Sequence, residues 1–303
     1  MSNFNNNEYQ PLVADLIGDV FYTETSFRGK ISTIRQYAEV IVRKLLDIKP
    51  SSKLTLGQKD IQNKIKALPN HEFIEIAIDI IRDKGNSSTH TQHLDDLSLD
   101  DFEDIVDNLF NMLSFPLINY FEKYEFGSRN EVMSSFSLLP PIIRYKVLNF
   151  LYQKYPNNSS VIDKLVLAIM KAFNVSEATK WVEEKKDTLT KMKVMSEKAF
   201  NEISEKQGME VALLLQNSVY SNMYELCLDK ISKVGNTIHS NGVLYSDFES
   251  ALPYYQANGI LMGNEPEIEE FNDVMNFLYL GRKENLQKLS NENNPYIVMD
   301  FIS

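Results

Sequence analysis

Residues 71–90 read HEFIEIAIDIIRDKGNSSTH. Phe73, Ile74, Ile76, Ala77, Ile78, Ile80 and Ile81 make this stretch apolar nearly all round. That pattern predicts a helix over 71–83 in a central position, because a surface helix keeps one polar face. Gly85-Asn86 follows at once and supplies a helix terminus. On that reading the helix ends near Arg82, the chain reverses at Gly85-Asn86, and His90 returns to the neighbourhood of the guanidinium.

The same helical period extends outward in both directions. In 27–48, Ile31, Ile34, Ala38, Ile41, Val42, Leu45 and Leu46 recur at spacings of three and four, which marks one buried helical face. Thr55 is placed to cap a second helix carrying Ile61, Ile65 and Leu68, with Pro69 as its stop. Ser98 precedes LDDFEDIVDNLFNML, whose early acids suit a helix N-terminus, and Pro116 is expected to kink or break that helix. Further helices are expected from Pro141 through Tyr155 and over 160–173, 176–207, 209–233, 246–257 and 266–289. Only the tail, YIVMDFIS, reads more like a strand. The fold class is all-α, and FGSRN (126–130) is the expected boundary between an N-terminal domain, 1–127, and a C-terminal helical domain, 128–303.

Composition narrows the function. The chain has 303 residues, with 31 Lys and Arg against 42 Asp and Glu, a net charge of −11. Coating nucleic acid without specificity is mostly phosphate neutralisation and needs the opposite sign, so non-specific DNA binding is not expected. Cys227 is the single cysteine and only four histidines are present, which excludes a disulfide framework and a Cys-based zinc site. No secretory signal and no membrane-spanning run is visible, so a cytoplasmic location without membrane association is expected.

The chemistry-bearing residues are Arg82, Asp83, Asn86 and His90. A histidine can take the proton from a ribose 2′-OH or protonate the leaving oxygen. A neighbouring arginine can neutralise the charge that builds on the phosphoryl oxygens. Such a pair cleaves RNA by internal transfer without cofactor or metal. A plainer reading stands beside it: the helix dipole alone favours an arginine in a last turn, and Gly-Asn is a common helix stop.

FRGKISTIRQYAEVIVRKLLDI, LTLGQKDIQNKIKAL and IIRDKGNSSTH, in that order, resemble the HEPN superfamily (higher eukaryotes and prokaryotes nucleotide-binding). They are closest to the prokaryotic HEPN-like domains associated with restriction and phage-defence genes. Tyr37, Ala38, Glu39, Arg43, Leu56, Gly57, Arg82, Gly85, Asn86 and His90 fall on the pattern, and the resemblance covers residues 20–125 or so. It implies an N-terminal HEPN-like helical bundle and a metal-independent endoribonuclease, a toxin-like effector of phage defence (abortive infection) or stress response. It also implies a dimer that brings two Arg–His pairs into one cleft. Asp83 matches the polar residue that follows the family's arginine. Seven residues separate Arg82 from His90, a longer gap than the roughly four to six usual in active members, and it leaves a non-catalytic scaffold or dimerisation protein of a defence complex as the alternative.

Residues 233–249, KVGNTIHSNGVLYSDFE, echo residues 84–103: Gly-Asn, then a histidine (His239), then Asp-Phe-Glu. The echo raises a degenerate second HEPN-like unit pairing with the first, against chance similarity of two helix stops. His71 reads as a helix-start residue. His90 with His93, and the acids Asp95, Asp96, Asp100, Asp101, Glu103 and Asp104, are weak candidates for a metal, since first-turn acids explain most of the cluster. The Lys/Glu-rich 180–207 segment reads as a long solvated helix.

Overall fold

Most of the segments with helical period become helix. The computed structural model describes residues 4, 7–89, 97–195, 197–217 and 220–283, and among these there is no strand. In chain order the helices are α1 (Gln10–Ile17), continued by a π-helical turn at Gly18–Tyr22, α2 (Phe27–Leu45), α3 (Lys59–Lys66), α4 (His71–Thr89) and α5 (Leu99–Lys123). Next come α6 (Asn130–Phe136), α7 (Pro141–Lys154), α8 (Ser159–Ala172), α9 (Val175–Glu184) and α10 (Lys186–Leu189). The last are α11 (Glu197–Gln207), α12 (Met209–Asn217), α13 (Met223–Asn241), α14 (Phe248–Asn258) and α15 (Pro266–Leu278). The all-α class is therefore correct; the strand-like tail and His90 lie outside the described residues. No described helix is long and apolar enough to cross a membrane.

The described residues divide into two compact units: the first takes those up to Ile143 and 247–283, the second Arg144–Ser246. The boundary expected at 127/128 falls inside the first unit. There Gly127, at φ 96°, turns the chain from α5 into α6. Rings of Phe121, Phe126 and Phe136 meet edge to face at 4.7–5.5 Å. Helices from far along the chain close over this cluster: Phe271 lies 5.2 Å from Tyr120, and the Tyr279 hydroxyl donates to the Leu138 carbonyl at 2.8 Å. A split read along the sequence cannot anticipate α14 and α15 returning to the first unit.

The core of this unit is α4 packed against α2 and α5. α2 buries Ile31, Ile34, Tyr37, Ala38, Ile41 and Val42, much of it the face that the spacing predicts. α4 buries Ile74, Ala77, Ile78 and Ile81, while Ile76 is 65% exposed. It is thus amphipathic rather than apolar all round, although two helices cover its inner face.

Gly85-Asn86 does not stop α4, and the chain does not reverse there; the helix runs on to Thr89. Glycine serves a different purpose. A Cβ at residue 85 would sit 2.7 Å from Arg35 Cδ and 3.0 Å from Arg35 Cβ, so the missing side chain is what lets α2 approach. Arg28, the second residue of α2, then donates to the carbonyls of Ser87 and Ser88 at 3.1 and 3.2 Å. Last-turn carbonyls have no partner within their helix, and Arg28 supplies one.

Other boundaries moved for local reasons. α3 starts at Lys59 from Gln58, and Thr55 instead gives its carbonyl to the Gln58 amide at 3.1 Å. Pro116 neither ends nor splits α5, which is buried on both sides of it; packing holds the helix despite one lost amide donor. The long helix expected over 176–207 is divided among α9, α10 and α11, and the Met192 carbonyl goes to the Met223 amide at 2.9 Å, across to the start of α13. α15 ends at Leu278, short of the expected 289, because Gly281 turns with φ 74°. A Cβ there would meet the Ala14 amide nitrogen of α1 at 2.6 Å.

Replacing glycine by alanine inside a helix ordinarily gains up to about 1 kcal/mol. Gly85→Ala is expected to do the reverse and lower the unfolding free energy by about 1–3 kcal/mol, since it overpacks the α2–α4 contact. Chemical denaturation checks this; a stabilised Gly85→Ala would contradict the contact.

Candidate functional site at the end of α4

The three sequence segments that carry the HEPN resemblance meet on the C-terminal half of α4. Gly57, before α3, lies so close that its missing Cβ would be 3.4 Å from Arg82 Cδ. Arg35 of α2 lies against Gly85, and Arg28 reaches the Ser87 and Ser88 carbonyls. Segments far apart in sequence thus converge on Arg82–Ser88.

Arg82, Asp83 and Asn86 all lie on α4. Arg82 and Asn86 stand at i and i+4 and share a face. Because the helix continues, the backbone at Thr89 is roughly 10 Å along the axis from Arg82, at 1.5 Å per residue. The tight turn that was expected to return His90 is absent. His90 itself lies outside the described residues, as do His93, Asp95 and Asp96.

The Arg82 guanidinium is engaged by two carboxylates. Its Nε donates to Asp83 Oδ1 at 2.8 Å and its Nη1 to Asp79 Oδ1 at 2.5 Å. The hydrogen bond to Asp83 leads the effects that raise its pKa. Asp83 and Asp79 therefore hold Arg82 as a cation and also surround it with negative charge.

Lys84, on the next face of α4, ties the helix to the start of α5. Its ammonium lies 2.8 Å from Asp101 Oδ1 and 3.1 Å from Asp104 Oδ2. Ser98 caps α5 as the sequence predicts: its hydroxyl accepts from the Asp101 amide at 3.2 Å, and the Asp101 carboxylate accepts from the Ser98 amide at 3.0 Å. Lys84 first, then the Ser98 backbone and hydroxyl, hold the Asp101 carboxyl down at about 2. Asp101 and Asp104 thus serve a lysine. Among the described residues, no group of three or more His, Cys, Asp or Glu comes together for a metal.

The second Gly-Asn pair occupies a similar place in a different unit. Gly235 and Asn236 lie inside α13, and a Cβ on Gly235 would meet Val175 Cγ2 at 3.3 Å. The two Asp-Phe-Glu runs are out of register, however. Asp101 is the third residue of α5, three after its cap Ser98, whereas Asp247 is itself the cap of α14. The cations near the second pair are also committed, Lys230 to Asp163 and Lys233 to Asp229 at 2.7 Å. His71 opens α4, with Nδ1 3.4 Å from Glu75 Oε2. Burial, the largest influence, pushes the lone Cys227 thiol up to about 12, which removes it as a nucleophile near neutral pH.

One polar cluster has no signal in the sequence pattern. Arg282 is buried and its Nη1 lies 2.9 Å from Glu249 Oε1, with the guanidinium 4.4 Å from the Phe248 ring centre. Burial, then the charge of Glu249, raises the Tyr22 hydroxyl far above its ordinary value. Burial raises Tyr37 as well, against the pull of Arg282. This ion pair joins residues 33 positions apart; Glu249 closes the second Asp-Phe-Glu run, but the sequence pattern gives it no pairing role and Arg282 lies in no motif.

Compared with protein-family models, with curated proteins and with solved structures, the chain matches none.

The Asp101 linkage has a defined sign. A carboxyl held below its unfolded value contributes stability above that unfolded value, about 3.9, and loses it as pH falls through the folded value. Asp101→Asn is therefore expected to be less stable than wild type near neutrality. The difference should shrink below about pH 4 and vanish toward pH 2. Denaturant titrations of both proteins across this range test it; a pH-independent difference would contradict the Lys84–Asp101 pairing.

Proposed function

We propose that this chain is a HEPN-type, metal-independent endoribonuclease, with Arg82 and His90 as its catalytic pair, Asp83 and Asn86 beside them, and two such sites brought together in a homodimer or with a partner protein. Its setting is a toxin-like effector in phage defence or stress response. The observation that carries the reading is the convergence of the three resembling segments on Arg82–Ser88, with Gly57 against Arg82 and Arg35 against Gly85. In it, His90 exchanges the proton of the ribose 2′-OH, and Arg82 stabilises the developing phosphoryl charge. Binding RNA requires Arg82 to exchange Asp79 or Asp83 for a phosphate oxygen.

The double engagement of Arg82 favours a second reading: a non-catalytic helical scaffold in which Arg82 stabilises the end of α4. The two readings separate in one assay. An enzyme of this type cleaves RNA and leaves DNA of the same sequence intact, because DNA lacks the nucleophile. Its products carry 2′,3′-cyclic phosphates and its activity survives EDTA. His90→Ala should slow cleavage by roughly 10²–10⁴-fold, in protein shown by circular dichroism to be folded. Cleavage unchanged in His90→Ala would remove the proposed pair. No cleavage by wild type, even with a cognate trigger or partner, would leave the scaffold.

A further inference from the structure

The first turn of α2, Phe27-Arg28-Gly29-Lys30, carries two cations and no acid. A helix N-terminus already holds partial positive charge, so cations there are disfavoured unless something negative answers them. Arg28 is answered by the Ser87 and Ser88 carbonyls. Lys30 is not. It is only 7% exposed, and among the described residues its ammonium has neither an ion pair nor a hydrogen bond; the Phe102 ring is what it faces. Burial pushes the ammonium down, and the charge of the exposed Glu24 reaches it only from beyond ion-pair distance.

The geometry aims Lys30 back at the start of its own helix. Its Nζ lies 5.4 Å from the Phe102 ring centre, and that ring stacks on Phe27, the first residue of α2, at 5.6 Å and 28°. Helical side chains lean toward the N-terminus, so the ammonium comes to the end where the first amides lack helical acceptors. Ser26 satisfies one of these, its hydroxyl accepting from the Gly29 amide at 3.2 Å; Phe27 has no acceptor within the helix. A ring face offsets part of the cost of burying an ammonium, but it supplies no oxygen. Arg28 fastens this end of α2 to the last turn of α4, whose Ser87 and Ser88 stand just before His90.

We propose that Lys30 and the N-terminus of α2 form a subsite for a backbone phosphate of RNA, flanking the phosphate that is cleaved. The subsite rests on the reading of the α4 end as a ribonuclease site. Lys30 supplies a point charge and the first amides of α2 point donors at the same oxygens. Such a contact positions the strand and is indifferent to the base.

Fluorescence anisotropy of the full chain with a labelled single-stranded 2′-O-methyl RNA tests this, since that strand keeps the phosphates and lacks the nucleophile. Wild type is expected to bind it saturably, with affinity falling as salt rises. Lys30→Gln should weaken binding by about tenfold, the scale of one charge-assisted contact, and by a similar factor for strands of different sequence. It should also flatten the plot of log affinity against log salt by about 0.7, one phosphate on a single strand. Lys30→Arg, checked for folding by circular dichroism, should restore most of both, which separates lost charge from lost packing. A protein that binds through Lys30 yet cleaves no RNA would refute the cleavage reading and keep the subsite. His90-dependent cleavage, with affinity and salt slope unchanged in Lys30→Gln, would refute the subsite alone. The subsite is equally overturned if wild type shows no saturable binding, or if Lys30→Arg loses as much as Lys30→Gln.

Discussion

The first unit depends on the close approach of α2 to α4 at Gly85. Arg35 occupies the space that any side chain at residue 85 would fill, with its Cδ 2.7 Å from the position of the missing Cβ. This seat has consequences in both directions along the helices. Toward the α2 N-terminus, it brings Arg28 to the last carbonyls of α4, so a helix ending in Ser-Ser-Thr does not leave buried acceptors unmatched. Toward the other side of α4, it leaves Arg82 against the Gly57 loop and Lys84 against the start of α5. The resembling segments thus meet because one helix lacks a Cβ at one position.

Charge is arranged differently in the two units. Around α4 three basic side chains have defined acceptors: Arg82 two carboxylates, Lys84 two more, and Arg28 two carbonyls. In the second unit burial, then the charges of Arg144 and Lys164, push the Lys171 ammonium down. The first arrangement stabilises helix ends and joins helices. The exposed pairs contribute little each; the buried Arg282–Glu249 pair is different, since removing one partner strands the other charge.

Much of the fold was legible as helical period. The face of α2, the Ser98 cap and the Pro141 start are local features, and local rules recover them. The role of Gly85 was not legible: glycine before asparagine has the same letters whether it ends a helix or admits a neighbour, and only Arg35 across the contact decides. Ile76 misled for a related reason, since a run of isoleucines gives no sign of which face another helix will leave uncovered. The division into units was hidden because α14 and α15 return to the first unit from far along the chain, with Phe271 of α15 set beside Tyr120 of α5. Of the candidate site, Arg82, Asp83 and Asn86 were found by motif and lie together on α4, but the carboxylates holding Arg82 come from positions to which the motif assigns no pairing role. The Arg282–Glu249 pair depends on tertiary contact alone.

The central claim is the Arg35–Gly85 contact, and a double-mutant cycle tests it most directly. Unfolding free energies are measured for wild type, Gly85→Ala, Arg35→Ala and the double variant. Truncating Arg35 removes the Cγ and Cδ atoms that the new methyl group would strike, so the account predicts that the double variant is more stable than the sum of the single losses implies. The expected coupling is about 0.5–3 kcal/mol, the range for side chains in contact. Losses that add to within about 0.5 kcal/mol, as for independent sites, would contradict the contact and with it the convergence on Arg82.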